Sequence, residues 1–128
     1  MSMRDQLRVL VVDDMSTSRG LITQALDAIG VRQIETASNG REALAAMKSN
    51  QPHLVISDMN MPEMNGLQLL HSIRTDPRTK NTGFLLITSK ADRQLIETGK
   101  KLRMNNFIPK PFKTEDLARA IEAIFGRL

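Results

Sequence analysis

His53-Leu54-Val55-Ile56-Ser57-Asp58-Met59-Asn60-Met61-Pro62 is the stretch that decides how this chain folds. Leu54 to Ile56 is an unbroken apolar run, the pattern of a strand covered on both faces, and a carboxylate ends it where a turn begins. Such a strand delivers Asp58 to the rim of a sheet, and open α/β sheets carry their chemistry at that rim. Taken alone, Asp58 reads equally as an aspartate capping a turn or the next helix. The choice depends on which other residues reach the same rim.

On both sides of this stretch, strand and helix patterns alternate, five of each. Upstream, Leu7 to Val12 is a nearly continuous β-branched run ended by Asp13-Asp14. Ser16 then offers an N-cap for a helix carrying Leu21, Ile22, Ala25, Leu26 and Ile29 at helical spacing, and Gly30 stops it. A shorter strand, about Gln33 to Ala37, leads through Asn39-Gly40 to a helix over Arg41 to Ser49 with Ala43, Leu44 and Met47 on one face. Downstream, the loop Met61-Pro62-Glu63-Met64-Asn65-Gly66 opens a helix with Leu67, Leu70 and Ile73 on one side, ended by Asp76-Pro77. Gly83 to Thr88 is another covered strand. The helix that follows, about Asp92 to Arg103, has the thinnest apolar stripe (Leu95, Ile96, Gly99, Leu102), and its interior glycine costs roughly 1 kcal/mol relative to alanine. Asn106 to Pro109 is the last strand, and Thr114-Glu115-Asp116 caps a helix burying Leu117, Ile121, Ile124 and Phe125. Strict alternation with strands this apolar gives an α/β protein, a doubly wound five-stranded parallel sheet covered on both faces.

With 128 residues, 41% hydrophobic and 25% charged, the chain has the makings of one ordinary globular domain, without linker or repeat. No apolar run approaches the roughly 20 residues a membrane span needs, and the start lacks the apolar core of a signal peptide. The absence of cysteine points to work in the cytoplasm. Net charge is +4 and the pI about 9.9. The basic residues are spread along the whole chain, with no basic arm or DNA-reading helix pair, so no nucleic-acid partner is expected and the excess reads as a bias toward acidic partners.

At the carboxyl ends of the strands this topology places Asp13 and Asp14 after the first, Asp58 after the third, Thr88 after the fourth and Lys110 after the fifth. Carboxylates held together either raise one another's pKa or share a cation, and magnesium suits oxygen donors. A metal beside Asp58 offsets the charge of an incoming phosphoryl group, while Lys110 and the Thr88 hydroxyl take its other oxygens. That arrangement makes an aspartyl phosphate. The competing reading is a solvated acidic rim with a lysine counter-ion.

Asp13-Asp14, Asp58, Thr88 and Lys110-Pro111-Phe112, with the loop from Met61 to Gly66, resemble the receiver domain of two-component response regulators. The likeness covers essentially the whole chain. Residues 1–128 are then a single receiver with no output domain, similar to the single-domain, CheY-like chemotaxis receivers. The resemblance implies a flavodoxin-like (βα)5 fold with strand order 2-1-3-4-5 and Asp58 as phosphoacceptor. It implies that Asp14, Asp58 and the backbone carbonyl of Asn60 hold Mg2+, with Asp13 acting through water. Lys110 and Thr88 contact the phosphoryl group, and Lys110-Pro111 is cis. The family's switch couples Thr88 to the residue three before the lysine, here Phe107, and remodels the surface of the fourth helix, fifth strand and fifth helix. Phe107 also reads as a plain core aromatic.

Several positions depart from the usual receiver pattern. Asn60 and Lys90 flank the entry of an attacking water, so they are expected to tune the lifetime of the phosphoryl group; Lys90 also reads as a solvated loop lysine. Arg103-Met104 stands where Gly-Ala is usual, and a left-handed stop is harder for arginine, so the fourth helix is expected to end differently or run longer. Lys90, Arg93, Lys100, Lys101 and Arg103 form a candidate partner surface for a peptide with acidic residues, or simply a solvated face. The expected partners are a histidine kinase as phosphodonor and a flagellar motor switch protein, with the chain a monomer. One alternative is a phosphate sink without motor output. Another is an aspartate-nucleophile phosphatase, which needs a second acid where Asn60 stands. A flavin site fails for want of a phosphate-cradling loop and of tryptophan or tyrosine.

Overall fold

In a computed structural model, which describes residues 2–128, every anticipated strand and helix forms. A one-turn helix that the sequence reading missed, α1 (Met3–Gln6), precedes them. The order is β1 (Arg8–Val12), α2 (Ser16–Ile29), β2 (Gln33–Ala37), α3 (Gly40–Ser49), β3 (Leu54–Asp58), α4 (Gly66–Thr75), β4 (Gly83–Thr88), α5 (Arg93–Lys101), β5 (Asn106–Pro109) and α6 (Thr114–Phe125). All pairings are parallel and the strands lie in the order β2-β1-β3-β4-β5, the flavodoxin-like order that the resemblance implies. The winding therefore reverses between β1 and β3, which places the crevice of such a sheet at the carboxyl ends of those two strands.

Alternation along the central strands feeds two cores, one on each face. Val9, Val11, Leu54, Ile56, Leu85 and Ile87 pack with α2 and α6 residues such as Ile22, Leu26, Leu117 and Ile121. Leu10, Val12, Val55, Phe84 and Leu86 point the other way, onto Met47 of α3 and Leu69, Leu70 and Ile73 of α4. Each side chain of this size contributes about 1.5–3 kcal/mol on full burial. The edge strands β2 and β5 are correspondingly more open.

Local details depart from the sequence reading. Ser16 is the first helical residue of α2 and not its cap: Met15 holds that position and has no side-chain oxygen to cap with, while its own N–H donates to the Asp13 carboxylate. Leu21 is 58% exposed and leaves the apolar stripe of α2. At α6 the cap position falls on Lys113, whose N–H donates to the Asp116 carboxylate at 2.9 Å, so Thr114 is already helical. The strongest departure concerns α5, which ends at Lys101, and Arg103 does take the left-handed conformation, with φ 62°. Met104 N–H donates to Gly99 O at 2.8 Å and Arg103 N–H to Lys100 O at 3.0 Å, the paired bonds of a Schellman stop. Gly99 makes room for this ending, since a Cβ there would meet the Met104 thioether at 2.8 Å. The Arg74 guanidinium then donates to Arg103 O at 2.9 Å, so a long-range bond secures a backbone that arginine disfavours.

Candidate functional site

β1 and β3 are neighbours, so their terminal carboxylates share one corner of the rim. One carboxylate oxygen from each of Asp13, Asp14 and Asp58 lies within 4.8 Å of the other two. Asp13 is buried and fixed on three sides. Its N–H donates to Ala37 O at 3.1 Å, its carbonyl accepts from Arg19 Nη1 at 2.7 Å, and its Oδ1 accepts from Met15 N–H at 3.0 Å. Oδ2 is left buried without a donor. An unpaired buried oxygen of this kind costs about 1–3 kcal/mol or more, a cost that a cation or its water removes. Oxygen-only donors, with Asp14 exposed to solvent, fit a magnesium ion that keeps several waters.

From the far edge of the sheet, Lys110 brings Nζ to 2.7 Å from Asp58 Oδ1 and 3.5 Å from Ser18 Oγ. Its N–H donates to Thr88 O at 2.8 Å, and Lys110-Pro111 is cis, as the resemblance implies. The Asp58 side chain is only 9% exposed. Burial pushes its carboxyl above the ordinary 3.8; the hydrogen bond and charge of Lys110 pull it back, and Asp13 and Asp14 push it up again. The Thr88 hydroxyl is buried, accepts from Lys90 N–H at 3.2 Å and lies 3.4 Å from Lys90 O. Phe107 is half-buried against the core that contains Leu86, its register partner, and shares with Leu86 and Thr88 one face of the sheet.

Asn60 and Lys90 are both exposed in the loops after β3 and β4. The five cations of the candidate partner surface do not meet. Lys90 and Arg93 stand at the rim, Arg93 paired with Glu97 at 3.2 Å, whereas Lys100, Lys101 and Arg103 lie a helix length away, at the opposite edge of the sheet. Residues that the sequence reading passed over also build the site. Arg19 looked like one more helical cation, Ser18 like a polar helix residue, and Gly66 like a turn glycine. A Cβ on Gly66 would sit 2.7 Å from Asp58 O, so the start of α4 can approach the acid only without a side chain. Beside Lys110, an apolar recess lined by Ser18, Leu21, Gln24, Pro111 and Phe112 accounts for the exposure of Leu21.

Three neighbouring carboxylates and one lysine thus meet at the switch point of a doubly wound sheet, where such sheets carry their ligands. Residues 9–122 match the model of the response regulator receiver domain, and the chain belongs to that family. It is 43% identical, over its full length and 99% of the relative's, to the "Probable chemotaxis protein CheY" of Rhizobium etli. The structure of Vibrio cholerae chemotaxis protein CheY4 superposes with a TM-score of 0.86 at 31% identity, covering 92% of this chain and 98% of that one. The receiver domain of sensor histidine kinase PA1611 from Pseudomonas aeruginosa, with a magnesium ion coordinated in its active site cleft, shares the fold at a TM-score of 0.83, 22% identity and coverage of 94% and 98%. The chain is thus a CheY-like receiver of two-component signalling.

Proposed function

We propose that Asp58 accepts a phosphoryl group from a phosphohistidine of a histidine kinase. The observation that carries this is the 2.7 Å approach of Lys110 Nζ to Asp58 Oδ1 beside the Asp13–Asp14 pair. An Asp58 oxygen attacks phosphorus as the P–N bond breaks, and the imidazole keeps the electron pair of that bond. Asp14, Asp58 and the Asn60 carbonyl, with Asp13 through water, would hold magnesium, which when bound offsets the charge of the phosphoryl oxygens. Lys110 then exchanges its carboxylate partner for a phosphoryl oxygen, and the Thr88 hydroxyl leaves the Lys90 peptide for another. Phe107 shares a face with Thr88, which supports a coupled shift of the surface formed by α5, β5 and α6. The recess beside Lys110 offers the donor domain an apolar surface next to the acceptor.

The relatives are named as chemotaxis proteins, which supports a chemotaxis role; we assign that role to the cytoplasm and take a flagellar motor switch protein as its target. Asn60 and Lys90 set the lifetime of the phosphoryl group by governing the approach of water; an unchanged dephosphorylation rate in Lys90→Ala would refute that role for the lysine. The output is tested by titrating a motor-switch peptide with and without magnesium and a small phosphodonor. Affinity is expected to rise several-fold on phosphorylation and to stay low in Thr88→Ala. Equal affinity in both states would leave a phosphate sink.

A further inference from the structure

Basic residues that are scattered along the sequence are gathered in space. Every strand of a parallel sheet starts at the same edge, and here four of the five entries bring cations: Arg32 before β2, Arg8 at β1, Arg78 and Lys80 before β4, and Lys100, Lys101 and Arg103 before β5. Helices returning to that edge add Lys48 and Arg74. Contacts knit the row together. The Arg8 guanidinium donates to Gln51 O at 3.1 Å, Lys48 lies close enough to act on the Asp76 carboxylate, and Arg74 donates to the carbonyls of Lys80, Thr82 and Arg103.

The acids toward this edge, Asp5, Asp27, Glu35, Asp76 and Glu122, are outnumbered by these cations. Arg32 meets Asp5 at 3.6 Å and Arg78 meets Asp76 at 3.1 Å. Among the described residues, Lys48, Lys80, Lys100, Lys101, Arg103 and Arg127 form no ion pair. The carboxyl rim holds Asp13, Asp14, Asp58, Glu63, Asp92, Glu115 and Asp116 among its cations, so the formal +4 resides on the entry edge.

We infer that this edge docks on an anionic lipid surface. Five strands spaced at about 4.8 Å present a front of roughly 20 Å, and each cation near such a surface adds attraction whatever its side-chain geometry. A protein partner is recognised instead through buried aromatic or aliphatic anchors, and the exposed large apolar side chains Met15 and Leu21 stand at the other rim. Among the described residues, only Met3 of α1, 37% exposed next to Arg4, is an exposed large apolar side chain on this side. Docked this way, the protein keeps Asp58 turned toward solvent. The inference is independent of any phosphoryl chemistry.

The test is co-sedimentation of the full chain with phosphatidylcholine vesicles, with and without about 30 mol% phosphatidylglycerol. Binding is expected only to the anionic vesicles and is expected to vanish as salt rises from about 25 to about 500 mM. Lys100→Glu with Lys101→Glu should weaken partition at least about tenfold. Arg41→Glu with Arg119→Glu, which changes net charge equally away from the edge, should weaken it less than about threefold. Circular dichroism of each variant checks folding, and the lipid series with the unaltered protein decides the question even if a variant unfolds. Equal binding to neutral vesicles, equal loss in both double variants, or tighter binding to an acidic polypeptide such as polyglutamate than to the anionic vesicles would overturn the proposal.

Discussion

At the carboxyl rim, Asp13, Asp14 and Asp58 come from two adjacent strands, press three like charges together and share one lysine. At the amino edge the cations come from four of the five strand entries, form few ion pairs and mostly face water. The rim concentrates strain that a ligand can relieve: an orphaned carboxylate oxygen, an acid buried above its ordinary pKa, and a hydroxyl held by a loop peptide. The most extensive built element of the edge is the Arg74 clamp on the segment before β4, the α5 stop and Asn105, whose Oδ1 also accepts from Phe84 N–H at 2.8 Å. Chemistry belongs to the crowded end and framework to the dispersed one.

That contrast is open to breakage, beginning at the framework end. Arg74→Ala removes four hydrogen bonds from a half-buried side chain and is expected to cost about 3 kcal/mol in urea unfolding while leaving rim chemistry intact in the folded fraction. A loss below about 0.5 kcal/mol would show the clamp to be ornamental. At the rim, Gly66→Ala forces a Cβ against Asp58 O and should cost about 2 kcal/mol, with slower phosphorylation besides. Arg19→Ala frees the Asp13 carbonyl and should weaken magnesium affinity about tenfold by calorimetry, with little change in stability.

The smallest effect has the opposite sign. Because burial raises the Asp58 pKa, the stability this group contributes is present below the ordinary 3.8 and is lost as pH rises through the raised value. Above that value the folded rim carries a buried charge that asparagine lacks. Asp58→Asn should therefore be more stable than the parent by about 1 kcal/mol at neutral pH, a gap that closes as pH falls toward 4 in thermal melts. A variant less stable at every pH would mean that the Lys110 pair outweighs burial.

Much of this arrangement is legible in the sequence because parallel topology makes strand ends coincide: Asp13, Asp14, Asp58, Thr88 and Lys110 each terminate an apolar run. The unread parts rest on bonds between side chains and distant backbone. Arg74 reaches Arg103 O and Asn105 across 29 and 31 residues, leaving no periodic or local trace, and it is this contact that lets Arg103 adopt a conformation the sequence argues against. Leu21 fits the helical spacing of α2 yet points out, because the recess beside Lys110 leaves it without a covering element. The basic edge was hidden for the same reason: spread in sequence does not mean spread in space.

The central claim, that Asp58 is the nucleophile of the rim, is met most directly by intact-mass and peptide mass spectrometry after incubation with magnesium and a small-molecule phosphodonor. The account predicts a single acid-stable, base-labile phosphoryl adduct that maps to Asp58, saturates at one per chain and is absent from Asp58→Asn. The same adduct in Asp58→Asn, or phosphate released steadily over many turnovers with no adduct accumulating, would contradict it.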